Sequence, residues 1–370
     1  MNRRAMVTTF VMLIMIAAGT TLHAQTVKVT PLGSRTGEFC SGDRALLFED
    51  PTGVRLLYDP GNTVAGGTDP RLGDVHGVLL SHAHGDHFGT AKLSSDPATG
   101  APGCAGSTTT AAANSNLAEI AAAKNSAILA GGNLAGFAGT KVAAVLQANV
   151  GGCPTAGVTN EMTFPRTSPC TAGVGIGAKR TLRLASATRG VQVAAVPADH
   201  PNDPPASLLS DPERTNLTSN SINAYVGLAT GFVVTFSNGL KVYLSGDSGL
   251  SSEMSSLIRG FYGVNLAVLN VGDVFTIGPE EGAFAVTELI RPNAVMPSHV
   301  NETATISGVV QPGTKTARFI EMITARGSQP FDDARSLFTP RRKVSVFVPL
   351  SGVTIEFDGD ARCVSGCQGQ

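Results

Sequence analysis

The feature that most constrains this chain is the segment His82-Ala83-His84-Gly85-Asp86-His87, placed directly after the short apolar run Val78-Leu79-Leu80. A run of that length and composition reads as a buried strand. In an extended segment residues two apart face the same way, so His82 and His84 can grip one ion. Gly85 permits a sharp turn, after which Asp86 and His87 point elsewhere and suit a second ion. A lone histidine in such a loop is usually only solvated; three histidines with an aspartate inside six residues are a ligand pattern. Imidazole and carboxylate donors favour zinc, manganese or iron over calcium.

The same arrangement, a strand followed at once by a ligand type, recurs along the chain. Apolar runs at 27–30, 45–48 and 54–58 predict three strands before the cluster, the last closed by turn chemistry in Asp59-Pro60-Gly61. The run 191–196 leads into Pro197-Ala198-Asp199-His200, and a Pro- and Asp-rich loop, 201–220, follows. Runs 231–236 and 240–244, joined by Ser237-Asn238-Gly239, predict a hairpin, and the second ends in Ser245-Gly246-Asp247-Ser248-Gly249. A strand at 294–296 ends at Pro297-Ser298-His299. Helices are expected at 117–124, 252–259, 280–291 and 315–325, and further strands at 127–129, 266–269, 344–348 and 353–357. Residues 94–181 change in texture to Ala, Gly, Thr and Ser, and 151–177 reads as loop. Two groups of strands, each trailed by helices, predict an α/β fold of two sheets packed face to face with helices outside. Loops at strand ends on such a scaffold are where ligands can converge.

His82, His84, Asp86, His87, His200, Asp247 and His299, in that order, resemble the motif series of the metallo-β-lactamase superfamily, which opens with His-x-His-x-Asp-His. The resemblance spans about 27–357. It implies a four-layer αββα sandwich of two mixed sheets with outer helices. It also implies two divalent metal ions, zinc first, with manganese or iron as alternatives. One would sit on His82, His84 and His200, the other on Asp86, His87 and His299, with Asp247 bridging. Asp86 and Asp247 then take catalytic roles. A water between the ions would have its pKa brought from about 15.7 towards ~7, giving a metal-bound hydroxide that attacks an ester, lactone, amide or phosphoester. The segment from Tyr243 through Asn270-Val271-Gly272-Asp273 to His299 is similar to the branch that holds ascorbate-6-phosphate lactonase and phospholipase D-type metal-dependent hydrolases. Asp247 departs from true β-lactamases, which usually lack a bridging aspartate there. Asp273 stands where relatives often have glycine and reads as a solvated loop residue. Two other functions fit the same ligand set: an iron-dependent oxygenase or oxidoreductase of this fold, and a non-catalytic binding protein of the cell envelope.

Composition bounds the setting. The chain has 370 residues, 42% of them hydrophobic, enough for one large domain. Net charge is -1, only 15% of residues are charged and no Lys/Arg run occurs, which excludes nucleic acid as the main partner and leaves a small-molecule substrate. Residues 1–24 read as a signal peptide: Arg3 and Arg4, an apolar stretch from 6 to 18, then Leu22-His23-Ala24 before a cleavage point. Arg3-Arg4 is compatible with twin-arginine as well as general export. No second stretch is long enough to span a bilayer, so a periplasmic or secreted domain, 25–370, is expected, with a Cys-containing insertion at about 94–181. Its six cysteines, an even number, favour disulfides over a zinc cluster, since no Cys-x-x-Cys pair occurs. Cys363 and Cys367 are neighbours, and Cys104, Cys153 and Cys170 share one Gly-rich region that at least one bridge should staple. Cys40 completes the set, and its partner is not legible from sequence. Neither are the substrate, the metal and the oligomeric state.

Overall fold

Short runs rich in Val, Leu and Ala supply most strands in the computed structural model, which describes residues 25–94, 97, 104, 106–328 and 343–368. The expected signal segment, 1–24, lies outside the described residues. The strands of the two large sheets are, in chain order, β1 (Val27–Pro31), β2 (Leu46–Glu49), β3 (Arg55–Tyr58), β4 (Gly77–Leu80), β5 (Ala127–Ala130), β6 (Glu161–Phe164), β7 (Cys170–Gly173) and β8 (Lys179–Leu184). They continue as β9 (Val191–Pro197), β10 (Thr230–Thr235), β11 (Lys241–Leu244), β12 (Leu266–Asn270), β13 (Ala294–Ser298), β14 (Ser345–Val346), β15 (Ile355–Phe357) and β16 (Cys363–Ser365). The first sheet has the order β16-β15-β1-β2-β3-β4-β5-β7, the second β14-β13-β12-β11-β10-β9-β8-β6.

Both sheets are mixed, and their strand directions decide where the loops gather. In the first, β3, β4, β5 and β7 pair in parallel. In the second, β11, β12, β13 and β14 pair in parallel. There β9 is antiparallel to β10 and β10 to β11, so β9 and β11 run the same way. The C-terminal ends of the parallel strands in each sheet therefore share one edge, where Asp59, the His82 cluster, His200, Asp247 and His299 all emerge.

Burial shows four layers. Val29, Phe48, Leu56 and Leu79 of the first sheet share one core with Val193, Phe232, Val242 and Leu244 of the second. The opposite face of the first sheet, through Leu57, Val78, Leu80 and Ile128, packs under helices Asn116–Lys124 and Leu134–Leu146. The opposite face of the second, through Val233, Tyr243, Ala267 and Val295, packs under helical segments Met254–Tyr262, Pro279–Phe284, Ala285–Ile290 and Lys315–Ser328. Covered on both faces, β4 buries all of Gly77, Val78, Leu79 and Leu80, which is why it reads as an unbroken apolar run. The helix-sheet-sheet-helix fold read from the sequence is the fold observed.

Differences lie where local pattern is weak. The stretch 151–177 was expected to be loop but contains β6 and β7, each at the end of a different sheet. Each gains its pairing from a strand distant in sequence or already in place, β8 for β6 and β5 for β7, so local hydrophobicity carries little of the signal. Helix Leu134–Leu146 was not foreseen because Gly136 and Gly139 weaken it by about 1 kcal/mol each. Packing explains Gly139: a Cβ there would lie 2.8 Å from Cγ2 of Thr171 on β7. Within the expected loop 201–220 lies an exposed helix, Asp211–Ser219, started by a Ser210/Glu213 capping box with Pro212 in its first turn. Disulfides join Cys40 to Cys104, Cys153 to Cys170 and Cys363 to Cys367. The second staples the Gly-rich region and the third is the local pair, as expected.

Candidate metal centre

The centre begins with β3 and β4. Their parallel register, Tyr58 beside Leu79, brings the residues after each strand together. Asp59, held at φ 37°, accepts from the Ser81 amide at 2.9 Å and from the Ser81 hydroxyl at 2.6 Å. One helical turn, Gly85–Phe88 with His84 as its N-cap, then swings His87 back so that its Nδ1 donates to Asp59 at 2.8 Å. On the second sheet Gly246, at φ 60°, makes the sharp turn that aims Asp247 inward, and its amide donates to the Tyr58 hydroxyl at 2.9 Å. His299 also sits at positive φ, 53°, a strained setting for a residue with a Cβ that costs roughly 1–3 kcal/mol.

All seven residues singled out from the sequence meet at this edge. Ligand atoms of His82, His84 and His200 lie within 4.8 Å of one another, as do those of His82, His87 and Asp247, and those of Asp86, His87 and His299. Asp247 stands between the groups: its carboxylate is 3.3 Å from Nε2 of His87, 3.2 Å from His299, 3.8 Å from His200 and 3.9 Å from His82. Asp86 reaches Nε2 of His299 at 3.3 Å. The side chains of His82, His87, His200, Asp247 and His299 are buried, whereas those of His84 and Asp86 are 30% and 44% exposed and mark the open side.

Hydrogen bonding fixes which nitrogens face inward. The single Ser81 hydroxyl hydrogen goes to Asp59, so the 2.9 Å contact between Ser81 Oγ and His82 requires His82 Nδ1 to donate. His87 Nδ1 donates to Asp59. The lone pairs of both Nε2 atoms are left for the centre. Nε2 of His82, His87 and His299 and Oδ1 of Asp247 are buried without a hydrogen-bond partner. Such atoms each cost about 1–3 kcal/mol if left unpaired. Three imidazole nitrogens and a carboxylate oxygen aimed at one another are the donor set a divalent cation takes, so the residues present fit the metals that the motif implies.

Electrostatics follow the same logic. Burial disfavours charge on Asp247, but the surrounding His87, His299 and His82 outweigh it and hold the carboxyl well below its usual range. Burial likewise opposes charge on Asp86, and His299 and Arg44 overcome it, keeping that residue ionised. Arg44, its side chain almost wholly buried, pairs directly with Asp86. Burial lowers the pKa of His82, His200 and His299, which favours the neutral ligand form. His87 differs: burial pulls it down, but Asp247 and Asp59 raise it to about 10, so without a cation it holds a second proton. A metal ion would take that proton's place.

Several residues of the centre were not singled out from the sequence. Asp59 was read only as a turn residue, and its one signal was an acid at the end of an apolar strand two elements before the cluster. Arg44 gives no local signal. Asn202, inside the loop after His200, accepts from the Ala83 amide at 2.8 Å and so ties that loop to the histidine cluster. Asp273 is exposed, and its carboxylate accepts from the Val274 amide at 2.7 Å, in keeping with a solvated loop residue.

Comparisons with known proteins agree with this geometry. A family model described as a Beta-lactamase superfamily domain matches residues 41–299, a span that holds all seven residues. A UPF0173 metal-dependent hydrolase of Cupriavidus necator is 27% identical over 316 residues, covering 83% of this chain and 89% of that protein. Another, from Cupriavidus metallidurans, is 25% identical over 273 residues, 72% of this chain and 74% of that one. Among solved structures, Igni18, a metallo hydrolase of Ignicoccus hospitalis, is similar in fold, with a TM-score of 0.50 at 20% identity over 90% of this chain and 100% of that one. From its layered fold, its ligand series and the family match across that series, the chain belongs to the metallo-β-lactamase superfamily.

Proposed function

We propose that this chain is an exported, dinuclear metal-dependent hydrolase. One divalent ion would be held by His82, His84 and His200 and a second by Asp86, His87 and His299, with Asp247 placed to serve both. The observation that carries the reading is the convergence of buried donor atoms that have no other partner. Similarity to relatives named metal-dependent hydrolases supports hydrolysis as the reaction class. Zinc is the first candidate for such nitrogen and carboxylate donors, ahead of manganese and iron. Bound ions supply Lewis acidity and bring a water's pKa towards ~7.

The chain's own residues do the rest. Asp59 and Ser81 fix the tautomers of His87 and His82, and the Asp247 carboxylate offsets repulsion between two nearby cations. Asp86, with a side chain 44% exposed, is the carboxylate at the open side, placed to pass a proton at the mouth. Three disulfides support an oxidising compartment, in line with the segment 1–24. We read 25–370 as one domain, to whose first sheet β5 and β7 belong.

The test is turnover of a panel of carboxylic esters, lactones and phosphodiesters by metal-loaded protein, with elemental analysis alongside. Two equivalents of metal, loss of activity with chelator and loss in Asp247→Ala are expected. Turnover that survives complete metal removal would end the hydrolase reading.

A further inference from the structure

Scattered apolar side chains are normal on any protein surface, but here several large ones sit on the loops that carry the centre. Tyr225 and Leu228 are 67% and 61% exposed, Leu250 42%, Val274 81% and Phe275 79%. Each loop leaves the end of a strand beside a ligand. Asn202 donates to the carbonyls of Gly227 at 3.0 Å and Leu228 at 3.2 Å while accepting from Ala83, between His82 and His84. The Gly249 amide, next to Leu250, donates to the carbonyl of Asp199 at 2.9 Å, one residue before His200. A Cβ on Gly272 would lie 2.0 Å from the His299 carbonyl, so the tip that follows it starts against His299 itself.

That tip is strained. Asp273 and Val274 take φ values of 65° and 67°, and a β-branched residue at positive φ is a true outlier. Such geometry persists where neighbouring bonds over-determine it, here Asp273 N to Ile277 O at 3.2 Å and Phe275 N to Asp273 O at 2.9 Å. Its result is two large apolar side chains held out to solvent beside the centre.

Charge on the same loops points the same way. Segments 201–229, 245–253, 270–278 and 299–314 contain a single Lys or Arg, Arg214, and it pairs with Asp211. Of the cations beside these loops, Arg44 pairs with Asp86, and Lys315 lies outside them, in the first turn of the helix Lys315–Ser328, donating to the Gly272 carbonyl. Recognition of a phosphate or free carboxylate usually draws on available Arg or Lys donors, which these loops lack.

Resting on the hydrolase reading, we propose that the loops bearing Tyr225, Leu228, Leu250, Val274 and Phe275 bind the hydrocarbon arm of an uncharged acyl substrate, a carboxylic ester or lactone. The metal-loaded enzyme is assayed on p-nitrophenyl esters from acetate to octanoate. The expected kcat/KM rises by about two- to fourfold per methylene, the upper figure being complete burial. Leu228→Ser/Phe275→Ser flattens that slope, whereas Phe261→Ser, which is 75% exposed on the helix Met254–Tyr262, keeps it. Calorimetric binding of a methyl n-alkyl ketone series reads the same slope without hydrolysis. Affinity that grows with chain length in the wild type and not in the double variant supports the proposal even if no ester turns over, in which case the hydrolase reading alone fails. A flat ketone series overturns the proposal, as does preference for phosphodiesters over octanoate. Chain-length-independent adhesion to phosphatidylcholine vesicles also overturns it, in favour of a membrane surface.

Discussion

At His87 two carboxylates face one ring that is 2% exposed, Asp59 on Nδ1 and Asp247 beside Nε2. Asp59 belongs to none of the three groups whose ligand atoms converge, so its part is to position: it holds His87 in the tautomer that offers Nε2. Outer partners of this kind typically contribute 10–100-fold in metal affinity, and Asp59→Ala should weaken binding by roughly that factor. Competition with a chromophoric chelator reads this directly, and unchanged affinity would remove Asp59 from the centre. Asp43 presents a different balance. It accepts from the amides of Ser34 and Cys40, yet burial outweighs those bonds and pushes its pKa from 3.8 up to about 6. A carboxyl raised on folding binds its proton more tightly in the native state. Its stabilising share is therefore full below pH ~4 and lost as pH climbs through ~6. Relative to Asp43→Asn, the metal-free wild type should gain up to about 3 kcal/mol between pH 7 and pH 4. Urea unfolding at both pH values measures it; a constant difference between the two proteins would contradict the assignment.

Among elements, those with a strong local pattern were legible and those built by their neighbours were not. Strands β1 to β4 and β9 to β13 read correctly because each is a compact apolar run closed by turn residues or a ligand. Helix Leu134–Leu146, with its two glycines, and the end strands β6 and β7 did not, since close packing and pairing with distant strands define them. Cys170 opens β7 and is 2% exposed, and its bond to Cys153 closes a loop of sequence separation 17. Loop-closure entropy for that length is worth about 3 kcal/mol. Cys153→Ala/Cys170→Ala should lower unfolding free energy by at least roughly this amount in denaturant titration under non-reducing conditions. A midpoint that does not move would show that β7 is held by the sheet alone.

Over the whole molecule, the sequence by itself determined the chemistry of the ligands, the strand-then-ligand rhythm and the layered class of fold, because each is written within a few adjacent residues. Only the tertiary structure decided that His84 and His200, 116 positions apart, stand 3.3 Å from one another. It alone supplied Asp59, Arg44 and Asn202, whose roles depend on which strand ends are neighbours. It also decided that Tyr225, Leu228, Leu250, Val274 and Phe275, among the exposed apolar side chains, lie on loops at the strand ends where the ligands meet. The physical reason is direction. Parallel strands in two facing sheets send their C-terminal ends to one edge, and strand direction is set by long-range pairing that no local stretch of sequence contains.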